Sequence, residues 1–172
     1  TLSNLKPVLD TLVWLRRETN VWLEVTNLVI PGENDSPTLI RAMCDWIVEN
    51  LGDGVPLHFS AFHPDYKMLN YPSTPLETLV AARKIAREAG LKYVYLGNVR
   101  DLSGETTYCP ACEAVLIERN CYELTRYELV GERCRYCGFA VPGVFADKPG
   151  TWGNRRKRVF VEEAVLSDPP MK

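Results

Sequence analysis

The chain has 172 residues, of which 46% are hydrophobic and 24% are charged, and its net charge at pH 7 is −2. This length allows one medium domain, or a smaller domain joined to a module held together by metal. The composition indicates neither a disordered chain nor a membrane span. The balanced charge excludes a surface that is basic as a whole, as a general nucleic-acid binder needs.

The first fifty residues show two helical patterns with a strand between them. Apolar residues recur at helical spacing across residues 5–13. Residues 21–30 are rich in β-branched side chains and apolar on both faces, as a buried parallel strand requires. Ser36 and then Pro37 predict the start of the next helix, which should run to Leu51.

Two more strands and a helix follow. The strands are predicted at residues 57–62 and 93–96. Between these two strands, Thr74 and Glu77, three residues apart, predict a capping box at the start of a helix that should end at Gly90. Strand–helix–strand–helix–strand indicates right-handed crossovers, and hence an α/β fold with a parallel sheet. The side chains predicted to face inward from this helix are Leu76, Leu79, Val80 and Ala86.

Three parallel strands leave an unfinished sheet. They are too few to close a barrel, and they leave two exposed edges. We therefore expect the chain to begin partway through a larger α/β domain, since it opens on Thr1 without a start signal. Self-association or a complementing chain would then cover the open edges.

Two Cys-x-x-Cys pairs carry the clearest chemical signal. Cys109 and Cys112 form the first, Cys134 and Cys137 the second, and 21 residues separate the pairs. Four thiolates on two tight turns make a tetrahedral cage that suits Zn²⁺. The pattern predicts a structural zinc ribbon over residues 105–145, with iron as the less favoured occupant.

The segment between the pairs is predicted to be a β-hairpin. Residues 114–118 and 122–130 read as its strands. Gly138, after the second pair, can adopt the left-handed backbone that turns amides toward a sulfur. Glu113 stands after the first pair, where a glycine is common in such turns.

The other two cysteines are predicted to lie outside the metal site. Cys44 falls on the apolar face of a helix, and Cys121 falls at the hairpin turn without matching either pair. A disulfide framework is the alternative use of six cysteines. No apolar signal segment opens the chain, so we expect a reducing, cytoplasmic setting instead.

Three segments in order resemble one enzyme family. Residues 29–35, 56–66 and 134–143 look like the radical SAM enzymes of the AmmeMemoRadiSam group, which are related to the pyruvate formate-lyase activating enzymes. The resemblance extends to about residue 145. It implies that residues 1–104 are the late strands of a partial (β/α) TIM-type barrel, followed by the ribbon and by a tail over residues 146–172.

The resemblance also implies cofactors. Enzymes of this family bind S-adenosylmethionine and a [4Fe–4S] cluster, and an electron from the cluster cleaves the sulfonium to a 5′-deoxyadenosyl radical. Ligand groups in barrel enzymes come from the carboxyl ends of the strands. By that comparison Ile30 packs on the adenine, His63 contacts it, and Ser60 lies on the adenine side. For His63 the alternative is a loop histidine that caps backbone groups around Pro64.

Two family motifs are absent from the chain: the cysteine motif of the cluster, and the early acidic, glycine-rich motif that holds the methionine amino group. The sequence contains no Cys-x-x-x-Cys-x-x-Cys, the motif that holds the cluster in these enzymes. We therefore expect a C-terminal portion that is inactive alone, has no catalytic residue of its own, and works with an N-terminal half that carries the motif.

A different class of function stays open. The ribbon could be an interaction module that binds a protein partner, or nucleic acid through the basic run at residues 155–158. A solvated charged stretch is the simpler interpretation of four basic residues. In a third interpretation the ribbon only seals the open barrel.

Overall fold

The computed structural model describes residues 4–146 and 148–150. Helices and strands alternate in the first hundred residues, and short strands follow. Among the residues that the structure describes, no helix is both long and apolar enough to cross a lipid bilayer. The elements are α1 Leu5–Glu18, β1 Val25–Val29, α2 Pro37–Asn50, β2 Leu57–Ala61, α3 Leu76–Glu88, β3 Val94–Gly97, α4 Leu102–Glu105, β4 Thr107–Tyr108, β5 Val115–Asn120, β6 Glu123–Tyr127, β7 Leu129–Val130 and β8 Arg133–Cys134.

The first three strands form a parallel sheet in the order β1-β2-β3. In its register Leu28 lies beside Ser60, and Ser60 lies beside Gly97. Because consecutive parallel strands are joined by helical crossovers, the prediction of a parallel α/β sheet is confirmed. The sheet is open: within the described residues, its strands do not close into a barrel.

The long helices cover one face of this sheet. Alternate strand residues, among them Val29, Phe59 and Leu96, are buried in a core that α2 and α3 complete. Residues on the opposite face are half-buried or exposed. A sheet with helices on one face only is the local arrangement of a (β/α) barrel wall, in which the other face points inward.

The open face corrects one prediction. Residues 21–30 were expected to form a strand buried on both faces, but β1 begins at Val25 and Leu28 is 44% exposed. The apolar residues of β1 do lie on both faces of the strand. Burial of its second face would need another layer, and the described residues supply none over β1.

The start of α2 follows the sequence prediction. The Ser36 hydroxyl accepts a hydrogen bond from the Leu39 amide, and Pro37 is the first helical residue. The helix α3 ends as predicted, with Gly90 at φ +107°. These local signals are confirmed because capping and glycine conformation depend on few neighbours.

The predicted capping box of α3 is wrong. The Thr74 side chain makes no capping bond; its hydroxyl accepts from the Phe62 amide at 2.8 Å and donates to the Val29 carbonyl. Thr74 therefore ties the ends of β1 and β2 to the loop before α3. It is buried, so both backbone groups depend on it.

The inward face of α3 was predicted only in part. Leu79 and Ala86 are buried as expected, together with Ala82. Leu76 and Val80, which were expected inside, are 40% and 47% exposed. Leu76 is the first residue of the helix, and Val80 lies beside the stripe that faces the sheet rather than on it.

A small β module follows the sheet. Strands β4, β5 and β6 form one antiparallel sheet, and β7 pairs with β8. The strand expected at residues 122–130 is interrupted at Glu128 and contributes to both sheets. Leu116, Leu129 and Val141 form the buried centre of the module, and Tyr93 from the parallel sheet joins them. The two parts of the chain therefore share a packed contact.

We expect Thr74→Val to destabilise the fold by about 2–4 kcal/mol, because a buried amide and a buried carbonyl lose their partner. Urea denaturation followed by circular dichroism measures the loss. Thr74→Ser, which keeps the hydroxyl, is the matched control. Equal stability of the two variants would contradict the role given to this hydrogen-bonding hydroxyl.

Candidate functional site

The structure brings the four paired cysteines together. The sulfurs of Cys109, Cys112, Cys134 and Cys137 all lie within 4.8 Å of one another. The Cys109 and Cys137 sulfurs are 3.5 Å apart, and those of Cys112 and Cys134 are 3.7 Å apart. The sequence prediction that the four sulfurs gather at one point is confirmed, and the group could hold a metal ion.

The two cysteine turns have the same backbone form. The Cys109 carbonyl accepts from the Glu113 amide, and the Cys134 carbonyl accepts from the Gly138 amide, both at 2.9 Å. Glu113 has φ +60° and Gly138 has φ +75°. Glu113 thus adopts the left-handed conformation that glycine provides in the second turn, although its Cβ makes this conformation less favourable.

The thiols of the group differ in acidity. Burial opposes ionisation of Cys134, but hydrogen bonds from the backbone amides of Cys137 and Tyr136 and from neighbouring thiols outweigh it and lower its pKa to about 7. The Phe139 amide favours ionised Cys137, yet burial and the surrounding thiols raise its pKa to about 12. One of the four thiols ionises readily, and its negative charge opposes ionisation of the others. A bound cation would relieve this repulsion.

A four-sulfur cage favours a structural role. Cys109 and Cys134 are buried, whereas Cys112 and Cys137 face solvent, so a metal could enter from the exposed side. Four protein ligands complete a tetrahedral site and leave no position for water or substrate. The cage can therefore stabilise the module but offers no open coordination position for catalysis.

The remaining cysteines lie apart from this group, as predicted. Cys44 lies on the buried face of α2, and burial raises its pKa to about 11. Cys121 is exposed at the turn between β5 and β6, with φ +53°. Neither belongs to the four-sulfur group.

The three residues predicted to surround adenine lie at or near the carboxyl end of the parallel sheet. Ile30 follows β1, and its amide donates to the Asn34 side chain at 2.7 Å. Ser60 lies on the open face of β2, so close to β3 that a Cβ on Gly97 would be 3.0 Å from its oxygen. His63 follows β2 and lines a cavity of about 450 Å³.

Only His63 of these three lines that cavity. The other walls include Phe62, Thr74 and Asn98, whose amide donates to the Ala61 carbonyl at 3.2 Å. Asn98 has φ +58°, which turns the chain sharply after β3. Its position in the wall was not predicted, because one residue after a strand carries no spacing signal.

A larger cleft of about 940 Å³ lies between the open face of the sheet and the β module. On the sheet side, the His58 Nε2 is 2.8 Å from a Glu24 carboxylate oxygen, and the His58 ring stacks on Tyr95. On the module side, the Tyr95 hydroxyl is 2.9 Å from the Thr107 hydroxyl, which also accepts from Arg119. These contacts connect the sheet to the module.

Sequence reasoning anticipated only part of this cleft. On β2, His58 alternates with Ser60, so the strand pattern alone puts both side chains on one face, and the structure shows that this is the open face of the sheet. The roles of Tyr95 and Arg119 were missed. They are 24 positions apart in the chain, and only the docking of β5 beside β3 brings them within 5.7 Å, measured from the guanidinium carbon to the ring centre.

Comparison with known proteins gives one informative match. The chain is 46% identical over 138 residues to the uncharacterized protein MJ0808 of Methanocaldococcus jannaschii. The match covers 79% of this chain and 41% of the relative, so the chain spans less than half of that protein's length. No family model matches the chain. No solved structure matches it either.

We expect purified protein to contain about one metal ion per chain, and Cys134→Ser to lose it. The substitution should also unfold residues 105–145, because metal binding supplies much of the folding free energy of small metal modules. Metal analysis and amide hydrogen exchange measure the two effects. Cys121→Ser, the matched control, should keep the metal, and a full equivalent of metal in Cys134→Ser would refute the assignment.

Thiol reactivity should separate the cysteines further. In metal-loaded protein at pH 8, iodoacetamide should modify Cys121 first and Cys44 last, because a buried thiol with a raised pKa offers little thiolate. Peptide mass spectrometry over time gives each rate, and urea-unfolded protein is the control in which the two rates converge. Equal rates in the folded protein would show that Cys44 is not protected.

Proposed function

We propose that these 172 residues are the C-terminal portion of a radical SAM enzyme of the activating-enzyme type. In this proposal they contribute the adenine side of the S-adenosylmethionine pocket and a structural zinc ribbon. The observation that carries the proposal is the one-sided parallel sheet, whose carboxyl end holds Ile30 and His63 and whose open face holds Ser60.

The arrangement of the sheet supports this role. In barrel enzymes the helices lie outside and the ligand groups come from the carboxyl ends of the strands. Here α2 and α3 lie on one face, while the cavity beside His63 lies at the carboxyl end. Such a cavity could receive part of a ligand whose other part contacts additional strands.

The longer relative supports the view that more chain belongs to the functional unit. Less than half of the M. jannaschii protein corresponds to this chain. Within the described residues β1 pairs only with β2, so its other edge is open to a further strand, and exposed apolar side chains lie in β1 or shortly before it. These side chains include Trp22 and Leu28, 42% and 44% exposed. In the proposal, an N-terminal half adds its strands at this edge.

The four-cysteine group fits zinc better than the radical cluster. Four sulfurs on two Cys-x-x-Cys turns are the ligand set of structural Zn²⁺ sites. A cluster that binds S-adenosylmethionine needs an iron without a protein ligand, and a complete four-cysteine cage provides none. We therefore assign Zn²⁺ to this chain. The [4Fe–4S] cluster, which supplies the electron for radical chemistry, would belong to the N-terminal half.

The nucleic-acid alternative rests on residues 155–158, which lie outside the described residues. No contact in the described part of the chain favours it over the radical SAM proposal.

Binding of S-adenosylmethionine tests the proposal. We expect weak or absent binding by this chain alone. Co-purification with the segment of the M. jannaschii protein that lies outside the match should give the visible absorption of an iron–sulfur cluster, together with cofactor binding. Isothermal titration calorimetry measures the affinity.

His63 provides the residue-level arm of this test. His63→Ala should weaken cofactor binding by about tenfold, the effect of one lost polar contact. Lys67→Ala, in the same exposed loop, is the matched control and should bind as wild type. Tight binding by the chain alone would contradict the need for a second half. A cluster-loaded assembly that binds no S-adenosylmethionine would sink the proposal.

A further inference from the structure

The cleft between the sheet and the β module carries an inference that does not depend on radical chemistry. We propose that it binds a small molecule bearing a carboxylate or phosphate group on an aromatic or apolar body. Arg119 is the main contact to the anionic group in this proposal.

The carboxylates of the cleft are already paired within the protein. Glu24 accepts from the Trp22 indole at 2.8 Å and contacts His58 with its other oxygen. Glu105 accepts from the Cys121 amide, also at 2.8 Å. These acidic groups therefore have less capacity left for a cationic ligand.

The arginines of the cleft have N–H donors that no described group uses. Arg119 is half-buried, and both of its hydrogen bonds to described groups, the Glu105 carbonyl and the Thr107 hydroxyl, use Nη1. Its Nε and Nη2 hydrogens remain for a ligand. Arg100 lines the same cleft. Among the ion pairs of the described residues, none involves Arg100 or Arg119.

The half-buried Arg119 guanidinium has no carboxylate partner among the described residues. Arginine holds its charge at all physiological pH values, and its planar fork matches a carboxylate or a phosphate. Because no described acidic side chain fills this role, an anionic ligand is the complementary occupant.

A second observation concerns a buried hydroxyl on a residue of the cleft wall. Tyr93 lines it and is only 4% exposed, yet its hydroxyl has no hydrogen-bond partner among the described residues. A buried donor without a partner carries a free-energy cost that a ligand or a bound water can remove. The aromatic walls, including Trp22 and Tyr95, suit an apolar body attached to the anion.

The test uses the full, metal-loaded chain with benzoate and phenyl phosphate as probes, and benzamide as the neutral counterpart. Calorimetry and the NMR signals of arginine Nε–H groups report binding. We expect at least one anionic probe to bind and to shift the Arg119 signal, and benzamide to bind at least tenfold more weakly. The two probes distinguish a carboxylate site from a phosphate site.

Variants connect binding to the cleft. Arg119→Gln should weaken binding of the anion by about tenfold or more, because a charge-assisted hydrogen bond is lost. Arg119→Lys should recover part of it, since the charge returns without the fork. Arg126→Gln, on the exposed strand β6 of the same hairpin, is the matched control and should bind as wild type.

Arg100→Gln keeps the test decisive if Arg119→Gln does not fold or loses its metal. Arg100 is exposed and makes no described hydrogen bond, so its replacement should weaken anion binding without lowering the melting temperature. Three outcomes would overturn the inference: no binding of either anion at millimolar concentration, equal binding of benzamide, or unchanged affinity in both cleft variants.

Discussion

Burial of only one face of the parallel sheet is the constraint on which the rest of the structure depends. Helices α2 and α3 bury alternate residues of all three strands, and this core is complete. The opposite face carries Thr26, His58 and Ser60 together with Leu28 and Tyr95, and no second layer of helices covers it within the described residues. Part of this face lines the cleft beneath the β module, and the carboxyl ends of the strands line the smaller cavity.

The β module, which carries the four paired cysteines, covers part of that face. Its strands are too short to form a large core. The buried centre of the module therefore includes Cys109 and Cys134, and Tyr93, which directly precedes β3, packs against it. Thr107 precedes Cys109, the start of the first cysteine turn, by two residues, and its hydroxyl is 2.9 Å from the Tyr95 hydroxyl. The position of the module against the sheet is thus coupled to the geometry around the four sulfurs, because the same short segment takes part in both.

Two cavities result from this arrangement, and their walls differ in chemistry. The cavity beside His63 lies at the carboxyl end of the strands and has mostly neutral walls. The cleft beneath the module contains paired carboxylates and arginines with free donors. Asn98 and Val99 line both, so a ligand in one region would lie close to a ligand in the other. Under the two proposals above, S-adenosylmethionine and an anionic ligand would lie side by side.

The sequence alone determined the features that depend on close neighbours in the chain: the helix capped by Ser36, the alternation of strands and helices, and the placement of the cysteines in pairs on tight turns. Tertiary structure decided what depends on distant contacts. The Thr74 hydroxyl bonds two strand ends rather than its own helix, and Glu113 takes a glycine-like backbone because its turn must aim a sulfur. Tyr95 and Arg119 meet only after the module docks. Periodicity and capping are encoded locally, whereas burial and partner choice are properties of the assembled fold.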